Sequence, residues 1–151
     1  MFIRPATIQD IPTITKLKNI PDTERYSQRV VETELGKANY LVAEIDSQLV
    51  GQVFLKYYGT PKYPHYPNME DLLVAKDYRH QGVGSSLIEQ CEQLARFKGF
   101  KQLGLSVNPT LNSQAMGLYQ KLGYQPLGSE PYLDGVYNGV EDWVIDLVKT
   151  L

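Results

Sequence analysis

The sequence predicts a mixed α/β fold built in layers, and two observations carry that reading. The first part of the chain is dominated by short runs of β-branched and aromatic residues, such as YLVAEI at 40–45, bounded by Gly, Pro and Asp-Ser turn signals. The second part alternates such runs with stretches whose apolar residues recur every three or four positions, a helical period. Strands come first and a strand-helix-strand-helix-strand run follows, which is too short for a full dinucleotide-binding double winding. No repeat or linker interrupts the chain, so residues 1–151 read as one domain.

Phe2 to Arg4 reads as a short strand. Thr7, with Asp10 three positions on, forms a variant of the capping box and opens a helix whose inner face holds Ile11, Ile14 and Leu17. Pro21 ends or bends it. A more polar helix is expected over Arg25 to Leu35, closing near Gly36. Tyr40 to Ile45 and Leu49 to Tyr58 are expected to pair as a hairpin about Asp46-Ser47-Gln48. Gly59 to Pro67 carries Pro61, Pro64 and Pro67 and must be a connection. Met69 to Ala75 is apolar enough to be a central strand. A glycine-bearing turn and a helix from Ser85 to Phe97 follow, with Gly99 behind it. Then come a strand from Gln102 to Val107 and a helix from Asn112 to Leu122. Last is a loop with Asp134-Gly135 and Asn138-Gly139 turn signals, and a strand from Trp143 to Val148.

Composition narrows the function classes. Among 151 residues, 42% are hydrophobic and 21% charged, with a formal charge of -2. With an isoelectric point near 5.7 there is no global positive field to gather nucleic acid or anionic lipid. Cys91 is the one cysteine and falls in a helix, so a buried core thiol is expected and no disulfide or cysteine-based metal site. His65 and His80 are too separated to suggest zinc, and no metal is expected. No run reaches the roughly 20 apolar residues of a membrane span, and the N-terminus lacks a signal peptide's apolar region. A soluble cytoplasmic protein is therefore expected.

The stretch from Val74 to Ser85 (VAKDYRHQGVGS) is the most informative, because it joins a strand to a helix through closely spaced glycines. Glycine permits tight backbone geometry and close ligand approach. The first amides of the following helix lack intrahelical acceptors and point outward with the helix dipole behind them. That is a site for phosphate or pyrophosphate, and it lets an acidic protein hold a polyanion by local backbone charge. Arg79 can add a bidentate phosphate contact or cap nearby carbonyls. The Walker pattern is absent, and Leu87 stands where the dinucleotide fingerprint needs its third glycine. A tight turn with no ligand is the competing reading of this fragment taken alone.

Here the chain resembles the GNAT superfamily of N-acetyltransferases. One block, MEDLLVAKDYRHQGVGSSLI, carries the superfamily's Arg/Gln-x-x-Gly-x-Gly/Ala signature as Arg79-His80-Gln81-Gly82-Val83-Gly84. The other, Asn112 to Tyr124 (NSQAMGLYQKLGY), looks like its N-x-x-A-x-x-L-Y-x-K-x-G-F/Y element. Ile3-Arg4-Pro5-Ala6-Thr7 with Asp10-Ile11, and Leu49-Val50-Gly51, are also typical of it. The resemblance implies a three-layer domain around a largely antiparallel sheet that splays at the cofactor site, between Met69–Ala75 and Gln102–Val107. It implies acetyl-CoA as cosubstrate. Leu72, Leu73 and Val74 would bond the pantetheine arm, amides from His80 through Gln81, Gly82, Val83 and Gly84 to Ser85 would hold the pyrophosphate, and Asn112 would bond the pantetheine or line its path. Tyr119 would lie near the thioester sulfur.

Acyl transfer to an amine needs a neutral amine, a donor to the developing oxyanion and a proton or hydrogen bond for the leaving thiolate. Direct attack in a ternary complex meets these needs by positioning. A phenol with a pKa near 10 stays protonated at neutral pH, which suits Tyr119 as the acid; packing on a helix face is the plain alternative. Glu70 is the candidate base or amine-orienting group. Because successive strand side chains alternate, only one of Glu70 and Asp71 is expected to face the cleft. Tyr57, Tyr58, Tyr63, Tyr66, Tyr132 and Tyr137, with Glu70, Glu130 and Asp134, are expected to wall a pocket for a cationic amine, with ordinary loop packing as the alternative. Trp143 is expected in the core or at the sheet edge. The acceptor expected is a small molecule or amino acid. A protein N-terminus or lysine is one alternative, and an acyl-CoA sensor or protein-interaction domain without turnover is another. A homodimer through the C-terminal strands or a helix face is a further expectation.

Overall fold

The computed structural model describes residues 1–151. In chain order the strands and helices are β1 (Phe2–Pro5), α1 (Ile11–Lys18), α2 (Thr23–Glu34), β2 (Ala38–Ile45), β3 (Gln48–Lys56), β4 (Asn68–Val74), α3 (Val83–Phe97), β5 (Gln102–Val107), α4 (Ser113–Lys121), β6 (Gln125–Pro126), β7 (Tyr132–Tyr137) and β8 (Val140–Thr150). The sheet runs β1-β2-β3-β4-β5-β8-β6, and β7 pairs with β8. Only β4 and β5 are parallel neighbours; every other pair is antiparallel.

Two apolar clusters, one on each face of the sheet, make this a three-layer fold. One packs Leu87, Ile88 and Cys91 of α3 against Leu41, Leu55, Leu105 and Leu147. The other packs Ile14 of α1 and Tyr26 and Val30 of α2 against Tyr40, Val42 and Phe54. Tyr40 and Tyr26 are almost fully buried in the second, and their hydroxyls are satisfied by Gln52 Oε1 at 2.7 Å and by the Ile20 carbonyl at 2.7 Å. Cys91 is fully buried, and burial pushes its thiol well above the usual range, as expected of an inert core thiol. No helix is long and apolar enough to cross a membrane.

Several boundaries differ from the sequence-based expectation for local reasons. Helix α2 begins at Thr23, because the Asp22 carboxylate accepts from the Arg25 amide at 3.3 Å and caps it. Helix α3 begins at Val83, since Gly82 takes the left-handed conformation (φ 84°) that lets the chain turn into it two residues early. In the C-terminal hairpin, Asn138 and Gly139 both have positive φ, the geometry a two-residue hairpin turn demands. Asp134-Gly135 is thereby left inside β7, and β8 extends back to Val140. Trp143 is 48% exposed, outside the core, opposite Leu133 of β7, and its Nε1 donates to Glu141 at 2.9 Å.

Candidate active site

The central strands part where they are parallel. β4 and β5 pair only at Asn68 with Gly104 and Met69 with Leu105, so β4 from Glu70 to Val74 has no partner on its β5 side. On its other side the β3 register slips, with Gln52 opposite Leu73 but Phe54 opposite Glu70. Asp71 and Leu72 therefore face the single residue Val53, which is a β-bulge, and Asp71 has φ 62°. The side chain of Gln52, fully buried, satisfies the displaced Asp71 carbonyl by donating from Nε2 at 3.1 Å.

The bulge corrects the expectation of alternation: Glu70 and Asp71 both line the cleft. Their partners differ. Asp71 is held by Lys18 of α1 and by Arg29 of α2, the latter at 2.8 Å. Arg29 is itself buried against the rings of Tyr40 and Phe54, 5.4 and 4.9 Å from their centroids. Burial alone would raise the Asp71 carboxyl, but Lys18 and Arg29 outweigh it and hold it below the usual range. Asp71 thus fastens both N-terminal helices to the bulge and is a poor base. Glu70 pairs with Lys56 and stands 3.9 Å from Arg29.

At the end of β4, the Nε of Arg79 donates to the Val74 carbonyl at 3.0 Å, tying the turn to the strand. His80 and Gly82 both have positive φ, and the turn residues from Arg79 to Gly82 are exposed. The first α-helical bond of the turn runs from Ser86 to the Gly82 carbonyl, which leaves the Val83, Gly84 and Ser85 amides without helical acceptors at the outer end of β4. A Cβ on Gly82 would meet no protein atom within 4 Å, so within the chain only the backbone angle calls for glycine there.

Opposite the β4 edge, Asn112 caps α4 without spending its side chain on the helix, and it lines the cleft. Tyr119, about two turns further on, is 8% exposed, and burial pushes its phenol up to about 12. It meets Met69, Glu70, Asp71, Leu72, Ile88 and Ser106 around a void of about 20 Å³ at the fork of the splay. That void opens beside a larger cleft of about 1630 Å³. Of the residues singled out from the sequence, Glu70, Leu72, Asn112 and Tyr119 line this cleft, whereas Leu73, Val74 and the turn from Arg79 to Ser85 lie outside its lining.

The model of the acetyltransferase (GNAT) family matches residues 8–124. The chain belongs to the GNAT acetyltransferase family. Over 147 residues it is 27% identical to a Bacillus subtilis (strain 168) protein provisionally named ribosomal protein bS18-alanine N-acetyltransferase, covering 94% of this chain and 93% of that one. It is 26% identical over 133 residues to an N-alpha-acetyltransferase of Sulfurisphaera tokodaii, covering 82% and 79%. A shorter stretch of 59 residues, 39% of this chain and 34% of the other, is 44% identical to a bovine (Bos taurus) thialysine N-epsilon-acetyltransferase. Among solved structures, a ribosomal-protein-alanine N-acetyltransferase from Brucella melitensis superposes with a TM-score of 0.83 at 21% identity, covering 100% of both chains.

The acceptor side of this GNAT cleft departs from the sequence reading. Of the six tyrosines expected there, Tyr132 and Tyr137 line it. Tyr57 is buried and stacks on Phe100 at 6.1 Å, because its strand turns it into the α3-side core. Tyr63 and Tyr66 stack on each other at 5.9 Å, and Tyr58 donates to Glu32 at 2.9 Å. Glu70, Glu130 and Asp134 do line the cleft. The sequence reading missed Ser106 and Asp146, whose side chains bond each other at 2.7 Å. The sequence shows each only as a polar residue between apolar neighbours, in LGLSV and VIDLV, and the pairing of β5 with β8 brings them together.

Proposed function

We propose that the chain transfers the acetyl group of acetyl-CoA to the amine of a small molecule or amino acid, by direct attack in a ternary complex. The observation that supports this best is a buried phenol in the cleft beside an unpartnered strand edge, with a turn of unpaired amides at the end of that strand. The edge at Leu72, Leu73 and Val74 suits the amides of a pantetheine arm. The turn from Arg79 to Ser85 suits its pyrophosphate. In the reaction the amine nitrogen bonds to the thioester carbon, the C–S bond breaks, and the sulfur leaves as thiolate. With Tyr119 near 12 and a free thiol near 8.5, full proton transfer from the phenol is uphill by roughly 5 kcal/mol. Tyr119 therefore serves the thiolate by donating a hydrogen bond, while the proton the thiolate finally takes is one the amine has released. Glu70, at the fork of the splay and paired with Lys56, lines the acceptor's approach.

A protein N-terminus is the second reading, favoured by one observation: two relatives are named for N-terminal or ribosomal-protein acetylation. The deciding experiment follows CoA release from acetyl-CoA against polyamines, amino acids, lysine peptides and peptides with free N-termini. Acceptor-dependent release supports the proposal, and the productive acceptor separates the two readings. Tight acetyl-CoA binding with no turnover on any acceptor would instead describe a sensor.

A further inference from the structure

We propose that Asp146 of β8 is the recognition site for the acceptor's ammonium group, so that the acceptor enters this cleft as a cation. This rests on the amine-acetylation reading. The register sets the geometry. Phe54 pairs with Glu70 across β3 and β4, and Ser106 pairs with Asp146 across β5 and β8. With Met69 opposite Leu105, Glu70 and Ser106 stand one residue further on, at the fork of the splay. Glu70, Ser106 and Asp146 thus take matching positions on the cleft face, with the parting of β4 from β5 lying between Glu70 and the Ser106–Asp146 pair. An amine approaching the fork passes between them.

The two carboxylates are not equivalent. Glu70 already has a cation in Lys56. Asp146 has none: Ser106 Oγ and Tyr132 OH both donate to its Oδ1, each at 2.7 Å. Its Oδ2 is buried without a partner, although the residue is only 6% exposed and lines the cleft. A buried carboxylate oxygen with no donor is costly and marks a missing one. In the whole chain only one other buried side-chain polar atom lacks a partner, Ser129 Oγ, and Ser129 lines the same cleft. The two are near in the fold, because the Leu127 amide donates to the Asp146 carbonyl at 3.1 Å. An ammonium carries three donors and a positive charge. Glu130, Asp134 and Asp142 on the same wall also lack any cationic partner within the chain.

The test titrates n-butylammonium chloride, and separately n-butanol, into the CoA-loaded protein while backbone amide shifts are followed. The expected result is saturable shifts centred on Ser106, Ser129 and Asp146 with butylammonium, and none there with butanol. Asp146→Asn is expected to weaken butylammonium at least about tenfold, and Glu70→Gln less than about threefold. Shifts centred on Glu70 and Asp71, equal shifts from butanol, unchanged affinity in Asp146→Asn, or no saturable binding would each overturn the proposal. The two wild-type titrations decide it even if the variant does not fold. CoA binding is read in the same samples and CoA release from acetyl-CoA is followed beside them across the acceptor panel, so failure of the acetyltransferase reading shows as lost CoA binding or as no turnover, apart from the fate of the ammonium site.

Discussion

Gln52 Nε2 donates to the carbonyl oxygen of Asp71 at 3.1 Å, and this bond holds the β4 bulge in place. The same side chain accepts from Tyr40 at 2.7 Å, so one fully buried amide joins the α2-side core to the fork of the active-site cleft. Gln52→Leu leaves the Asp71 carbonyl and the Tyr40 hydroxyl without partners. Its expected cost is about 2–3 kcal/mol of unfolding free energy, measured by urea titration. A loss below about 0.5 kcal/mol would show that the bulge does not depend on this bond.

Asp71 makes stability pH-dependent on the acid side. Its carboxyl is held below the usual value by Lys18 and Arg29 against the opposing effect of burial. A depressed folded-state value contributes stability that is fully present above the unfolded carboxylate pKa and is lost as pH falls through the folded one. Asp71→Asn strands Lys18 and the buried Arg29. At neutral pH it is expected to cost about 2–3 kcal/mol, less than a fully buried pair because the Asp71 side chain is 21% exposed. The gap between wild type and variant is expected to close below about pH 4. A gap constant from pH 7 to pH 3 would contradict the ion-pair account.

Gly82 and Gly36 separate folding from cofactor binding. Both have positive φ, 84° and 75°, and a Cβ on either would meet no protein atom within 4 Å. Alanine at either position is expected to cost about 1 kcal/mol of stability, for backbone reasons alone. Only Gly82→Ala places a methyl at the mouth of the phosphate turn, so it alone is expected to weaken acetyl-CoA binding, by about tenfold or more. Equal acetyl-CoA affinity in the two variants, measured by calorimetry, would remove the turn from the cofactor site.

Tyr119 fixes the expected alkaline behaviour. With its phenol near 12, it remains a donor throughout the ordinary range. The rate at saturating substrates is therefore expected to show no falling limb between pH 8 and pH 10. A limb that vanishes in Tyr119→Phe would show a phenol titrating far lower.

The features read from the sequence and those missed divide along a physical line. The elements and the glycine turn are local matters of periodicity, turn chemistry and spacing, and they stand out in Val74–Ser85 and Asn112–Tyr124. The α3 start moved because a left-handed Gly82 brings the helix in early. Asp134-Gly135 and Asn138-Gly139 are equally good turn signals, and only the pairing of β7 with β8 chose between them. The bulge was not legible, because strict alternation is the default for a strand and the register slip arises from pairing with β3. Asp146 was missed for the same reason: a lone acid in VIDLV gains meaning only when β8 sets it beside Ser106.

A single-turnover measurement follows CoA release from acetyl-CoA bound to the protein, mixed with a productive amine, in wild type and Tyr119→Phe. Acceptor-dependent release is expected in the wild type. In the variant, acetyl-CoA affinity is expected to be unchanged and the rate about a hundredfold lower. Equal rates in the two proteins would remove Tyr119 from the chemistry, and failure of the wild type to bind acetyl-CoA would contradict the assignment of the cleft itself.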